Sequence, residues 1–95
     1  DERWRDASSI DLLRRAVRLI RDRGFAVLSV DAVVVAERPT LAPHLPAIVE
    51  RLADALQLAP ASVNVKGKTN EGLGEIGRGE AIACQAVALL RRTQQ

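Results

Sequence analysis

The sequence has no methionine, no tyrosine, one cysteine, one histidine and two aromatic rings among its 95 residues. With Trp4 and Phe25 alone, the stacking platform that single-stranded nucleic acid requires has too little material, and the core must be built from Val, Leu, Ile and Ala. A lone Cys84 forms no intramolecular disulfide, which fits a reducing compartment and leads us to expect a cytoplasmic protein. One histidine and one cysteine fall short of the three or four ligands of a zinc site. His44, set between prolines, reads as a surface residue, and Cys84, alternating with alanines, as a small buried core residue. No apolar run approaches the roughly 20 residues that span a bilayer, and no signal peptide opens the chain, so no membrane partner is expected. The first residue is Asp1 rather than methionine, from which we expect a C-terminal piece of a longer protein.

What is present belongs to a single ordinary globular domain over residues 1–95, 47% hydrophobic and 27% charged, with a slight net charge of +2. Residues 8–24 carry a helix signal: Ile10, Leu13, Val17 and Ile20 share one face, with Leu12, Ala16 and Leu19 beside them. Ser8 with Asp11 reads as a capping box at its start and Gly24 as its stop. Its five arginines read as a solvated face, with nucleic-acid contact as the competing use. Residues 25–36 are rich in β-branched residues, and the AVVVA run predicts a strand buried on both faces. Pro39 and Pro43 mark a loop, and a second helix is predicted from about Pro46, with Ile48, Leu52, Ala55 and Leu56 as its apolar stripe. VNVKGK alternates, placing Val63 and Val65 inward and Asn64, Lys66 and Lys68 outward. EAIACQAVALLRR suits a strand or a helix. The order is α-β-α-β plus one further element, in an α+β or α/β layered domain.

Between residues 63 and 83 lie five of the six glycines and both lysines. GLGEIG matches the dinucleotide fingerprint as text, but the acidic residue expected about 20 positions on has no counterpart before Gln95. Gly67-Lys68-Thr69 resembles the end of a P-loop, yet Ser62 stands where its first glycine belongs. A glycine-rich hairpin connection is the plain reading. It leaves unexplained the polar crowd of Lys66, Lys68, Thr69, Asn70, Glu71, Glu75, Arg78 and Glu80. Free backbone N–H groups with Lys, Thr and Arg are what a phosphate needs, and a carboxylate among them suits a divalent cation that the phosphate brings.

VNVKGKTNEGLGEIGRGEAIACQAVALL, together with DERWRDASSIDLL and VDAVVVAERPTLAPHLP, closely resembles the C-terminal part of the 2-C-methyl-D-erythritol 2,4-cyclodiphosphate synthase family of non-mevalonate isoprenoid biosynthesis. The resemblance implies an α+β fold with a mixed sheet and helices packed on one side, ordered α-β-α-β-β. It implies a homotrimer with sites between subunits. It implies a lyase in which the 2-phosphate of a cytidine-diphospho-methylerythritol attacks the β-phosphorus and expels CMP, with zinc and a magnesium or manganese ion organising the diphosphate. Carried over by position, Ala36, Glu37, Arg38, Pro39, Thr40, Leu41 and Ala42 match the loop around the cytidine end. Lys66, Gly67, Lys68, Thr69 and Asn70 continue that pocket, with Thr69 at the position of the transition-state-stabilising threonine. Glu71 matches the carboxylate of the second metal, Glu75 and Arg78 match substrate or central-cavity positions, and Asp1 matches a substrate contact.

Three positions depart from the family pattern. Thr40 stands where lysine is frequent, and Lys68, where threonine is frequent, is expected to return that charge. Glu75 stands where an apolar residue is frequent and makes the central cavity more polar. The family's zinc ligands have no counterpart in these 95 residues, so this piece alone is expected to hold no zinc and to release no CMP. The competing class is a non-catalytic α+β nucleotide- or RNA-binding module.

Overall fold

The computed structural model describes residues 2–38 and 40–93, with side chains from Ser9 onward. Helix α1 runs from Glu2 to Asp22. It therefore begins well before Ser8, because the preceding Glu, Arg and Ala residues favour helix and Ser8-Asp11 lies within it rather than at its end. Among the described side chains of α1, Val17 is buried, Leu13 packs beside it, and Leu12 and Leu19 remain exposed. Gly24 ends the helical path at φ +86°, its N–H donating to the Arg21 carbonyl at 2.9 Å.

Strand β1 (Phe25–Val35) is the middle of a three-stranded mixed sheet ordered β2-β1-β3. It pairs in parallel with β2 (Val63–Lys68) and antiparallel with β3 (Ala83–Arg92). Parallel neighbours need a crossover, and helix α2 (Leu45–Leu56), entered through a 3₁₀ turn at Ala42–His44, supplies it. α2 closes on Gln57 at φ +59°, with the Leu58 N–H donating to the Ala53 carbonyl at 2.8 Å and the Gln57 N–H to that of Asp54 at 3.1 Å. The last segment is a strand, as the resemblance implied.

The core is Val17, Ala32, Ala53, Leu56, Val63 and Val65, with Val30 and Val34 packed against it, so both helices lie on one face of the sheet. The alternation in β2 holds: Val63 and Val65 are 5% and 8% exposed and their neighbours point outward. Among the described residues the opposite sheet face carries no layer. There the Asn64 side chain donates to Asp31 Oδ1 at 3.0 Å, and Val33 and Val35 are half-buried. The expectation that the AVVVA run is buried on both faces is thus corrected, since it is covered on the helix side alone. Cys84 is likewise exposed rather than in the core, because β3 lies beyond the helices and all ten of its residues are exposed. The hairpin reading is corrected too: β2 and β3 flank β1 and do not pair. β3 is tied at its far end by the Arg92 guanidinium over the Phe25 ring at 5.3 Å and by the Thr93 N–H donating to the Gly24 carbonyl at 2.7 Å. The radius of gyration is 15.0 Å, against about 12 Å for a compact domain of this length. Among the described residues no helix is long and apolar enough to cross a membrane.

Candidate functional site

Because β1 and β2 are parallel, their C-terminal ends, Val35 and Lys68, lie side by side. The Ala36 N–H extends the ladder to the Lys68 carbonyl at 2.9 Å. Beyond this point the two chains diverge into loops, which is where open sheets with parallel strands form ligand crevices. A pocket of about 220 Å³ opens there, lined by Ala36, Glu37, Thr40, Leu41, Ala42, Leu45, Gly67, Lys68 and Thr69. Its two walls touch at Gly67, where a Cβ would lie 3.2 Å from the Leu41 Cβ. A larger residue at 67 would push Leu41 into the cavity.

The glycine-rich connection follows directly. The Asn70 side chain donates from Nδ2 to the Leu73 carbonyl at 2.8 Å, and the Leu73 N–H returns to the Asn70 carbonyl at 3.0 Å. Glu71 sits at φ +54°, in the left-handed region, with its N–H 3.4 Å from Thr69 Oγ1. The chain is then drawn tightly onto itself: a Cβ on Gly77 would lie 2.0 Å from the Gly72 carbonyl carbon, so no side chain fits at 77. A single helical turn, α3 (Gly74–Gly77), follows, then Arg78, whose Nε donates to Glu80 Oε1 at 2.8 Å on the exposed surface. The loop as a whole hangs from β1's exit by Glu37. Its Oε1 accepts from the Asn70 N–H at 2.8 Å and from the Gly72 N–H at 3.0 Å.

The fold therefore brings together at one pocket Ala36, Glu37, Thr40, Leu41, Ala42, Gly67, Lys68 and Thr69, with Asn70 and Glu71 in the adjoining turn. Arg38 runs its aliphatic stem past Gly79. Lys66 lies apart from the pocket lining, outward on β2 opposite Val33. Glu75 and Arg78 are exposed further along the connection, and Asp1 and Pro39 fall outside the described residues. Sequence reasoning missed Leu45, which lines the pocket; an apolar residue opening a helix after Pro-His is its one trace. It also missed the loop-bearing role of Glu37, because its partners lie 33 and 35 residues away.

Among the described residues no three His, Cys, Asp or Glu side chains converge as a metal-ligand group. The donor set does not fit zinc. Glu71 is an exposed carboxylate in the turn beside the pocket, and hard ions of the magnesium type are commonly held by one or two carboxylates plus substrate phosphates. The arginine face of α1 has a second cleft of about 430 Å³ against α2. There Arg14 pairs with Asp54 at 3.5 Å and Arg21 donates to the Gln57 side chain, so part of that face is engaged within the fold.

Comparison with known proteins agrees with this geometry. A 2-C-methyl-D-erythritol 2,4-cyclodiphosphate synthase of Synechococcus sp. (strain JA-2-3B'a(2-13)) is 56% identical over 90 residues, 95% of this chain and 57% of that protein. The crystal structure of the Plasmodium vivax 2C-methyl-D-erythritol 2,4-cyclodiphosphate synthase superposes with a TM-score of 0.86 at 42% identity, covering 90% of this chain and 57% of the other. A Plasmodium falciparum IspF in a CDP complex gives a TM-score of 0.85 at 34% identity, covering 90% and 55%. The chain thus spans a little over half the length of these relatives. The family model described as the YgbB family matches residues 1–91, and this chain belongs to that family.

Proposed function

We propose that this chain supplies the cytidine and diphosphate side of a cyclodiphosphate synthase. The reaction converts a cytidine-diphospho-methylerythritol 2-phosphate to the cyclic diphosphate and CMP. An oxygen of the 2-phosphate forms a bond to the β-phosphorus as the bond from that phosphorus to the oxygen bridging to the α-phosphate breaks, and that oxygen leaves on CMP. The observation that carries this reading is the pocket between residues 36–42 and 67–69, with Thr69 on its wall and Glu71 in the next turn. A nucleotide seated there puts its diphosphate beside Lys68, the Thr69 hydroxyl and the Glu71 carboxylate. Phosphoryl transfer is accelerated chiefly by positioning and by charge stabilisation, which is what a lysine, a hydroxyl donor and a metal-holding carboxylate offer. Thr40 and Lys68 border the same pocket, so a positive charge is offered from the 68 side. Lys66, Asn70, Glu75 and Arg78 belong to the wider substrate-facing surface in this reading, and Asp1 and Pro39 are assigned substrate contacts by the family resemblance alone.

A divalent magnesium or manganese ion at Glu71 would shield the diphosphate's charge. Zinc is left to ligands outside these 95 residues, and elemental analysis of the purified 95-residue chain is expected to find none. The partner is a second and third copy of the chain in a homotrimer. Support for this comes from the uncovered sheet, where Val87 and Leu89 are 74% and 60% exposed. The compartment in this reading is the cytoplasm. CMP release by the full-length protein tests the proposal. Thr69→Ala is expected to lower kcat by about 100-fold or more with KM changed by less than about 5-fold, since a donor to charge that develops in the transition state acts on turnover. Equal loss in kcat and 1/KM would reduce Thr69 to a binding contact.

A further inference from the structure

Glu37 lines the nucleotide-side pocket, yet its carboxylate Oε1 is taken up by two backbone N–H groups of the protein itself. We infer that Glu37 is a positioning residue that holds the Thr69–Gly72 turn in its working shape, and that it does so through one oxygen rather than through its charge. The inference rests on the nucleotide reading for its functional consequence, but its structural basis is independent of it.

Three observations carry it. First, both hydrogen bonds, from the Asn70 N–H at 2.8 Å and from the Gly72 N–H at 3.0 Å, converge on the same atom, Oε1. Second, these two amides bracket Glu71, whose backbone is held at φ +54°. A non-glycine residue rarely adopts that conformation, and it persists where surrounding bonds over-determine it. Third, the turn has little else to hold it: Thr69, Glu71, Gly72 and Leu73 are exposed, and Asn70 is the half-buried member. Among the described residues, apart from the tight approach of Gly77 to Gly72 and the bonds within the turn, Glu37 is the tether that reaches the turn from the end of β1. Because it is the second residue beyond β1, it transmits the register of β1 against β2 to the residues that face the diphosphate.

A tether through geometry and a contact through charge respond oppositely to two conservative changes. Glu37→Gln keeps an acceptor oxygen at the same reach and removes the charge. Glu37→Asp keeps the charge and, one methylene shorter, loses the reach. The experiment is amide hydrogen exchange by NMR on the 95-residue chain and both variants, paired with calorimetric titration of CDP. In Glu37→Asp the amides of Asn70 and Gly72 are expected to exchange about 10-fold faster or more, and CDP affinity to fall about 5-fold or more. The amides of Val63 and Val65 should be unchanged, which verifies that the sheet is intact. In Glu37→Gln the same two amides should stay within about 3-fold of wild type, because a neutral acceptor makes a weaker bond of the same geometry, and CDP affinity should follow them. Retained protection in Glu37→Asp overturns the tether. Loss of CDP affinity in Glu37→Gln with protection retained overturns it as well, since the charge itself would then be the contact. If wild type fails to bind CDP, the nucleotide reading falls, while the exchange rates still decide the tether.

Discussion

The helix-covered half of the sheet and its bare half are built from the same residue types and have opposite fates. Val63 and Val65 on β2 are 5% and 8% exposed, whereas Val87 and Leu89 on β3 are 74% and 60% exposed. Residue type alone does not distinguish them; the layer opposite does. α1 and α2 cover β2 and the inner face of β1, whereas every residue of β3 is exposed. The pocket sits at the end of the covered half, between loops that leave β1 and β2. Two properties should therefore separate: nucleotide binding as a property of one chain, and assembly as a property of the bare half.

Perturbing the covered half should have the largest effect. Leu56→Ala removes a core side chain that is 7% exposed, and is expected to cost about 2–5 kcal/mol in urea melts. Leu89→Ala on the bare half should cost under about 0.5 kcal/mol in dilute monomer. A comparable loss at both sites would erase the distinction. Next, Val87→Asp should abolish self-association in sedimentation at tens of micromolar while leaving the folded monomer intact, because a charge on an apolar contact surface opposes its burial. A wild-type chain that is already a stable monomer there would contradict the assembly reading. Third, Gly77→Ala should loosen the glycine-rich turn at a cost of about 1–3 kcal/mol, the usual range for overpacking. Proteolysis near residues 72–77 with an unchanged β1–β2 pair is the readout. Fourth, Lys68→Ala should weaken CDP about 5–10-fold through loss of one charge-assisted phosphate contact, and Thr40→Lys in that background should return most of it. The smallest change is Arg14→Ala. Its ion pair with Asp54 joins side chains 49% and 81% exposed, and exposed pairs contribute about 0.2–1 kcal/mol.

The elements were legible where periodicity had one explanation. Val63 and Val65 alternate against polar neighbours, and the Ile10–Val17 stripe repeats at helical spacing, so both predicted their buried faces. Reading failed where burial depends on a distant layer. The AVVVA run and Cys84 look like core residues by composition, yet the buried core lies on the helix side of β1 and β2, and β3 is exposed along its length. Ser8-Asp11 has the form of a helix start and lies inside a helix, since a capping pattern cannot exclude that the preceding residues are helical as well. At the site, Lys68, Thr69 and the 36–42 loop were recognisable through resemblance to a family, and the parallel register of β1 and β2 explains why segments some 30 residues apart meet. Glu37 was assigned to the 36–42 loop, but its bonds to Asn70 and Gly72 had no local signature. Only the register of the two strands creates them.

The central claim is that one chain carries a cytidine-selective diphosphate pocket between residues 36–42 and 67–71. Calorimetric titration of the 95-residue chain with CDP, UDP and ADP at two salt concentrations tests it directly. The account predicts saturable binding of one CDP per chain, about 10-fold or more tighter than ADP, with that preference unchanged by salt, because hydrogen-bonded recognition of a base discriminates against analogues that leave polar groups unpaired. Equal affinity for all three nucleotides that falls away together as salt rises would mean unspecific attraction to basic side chains and would contradict it.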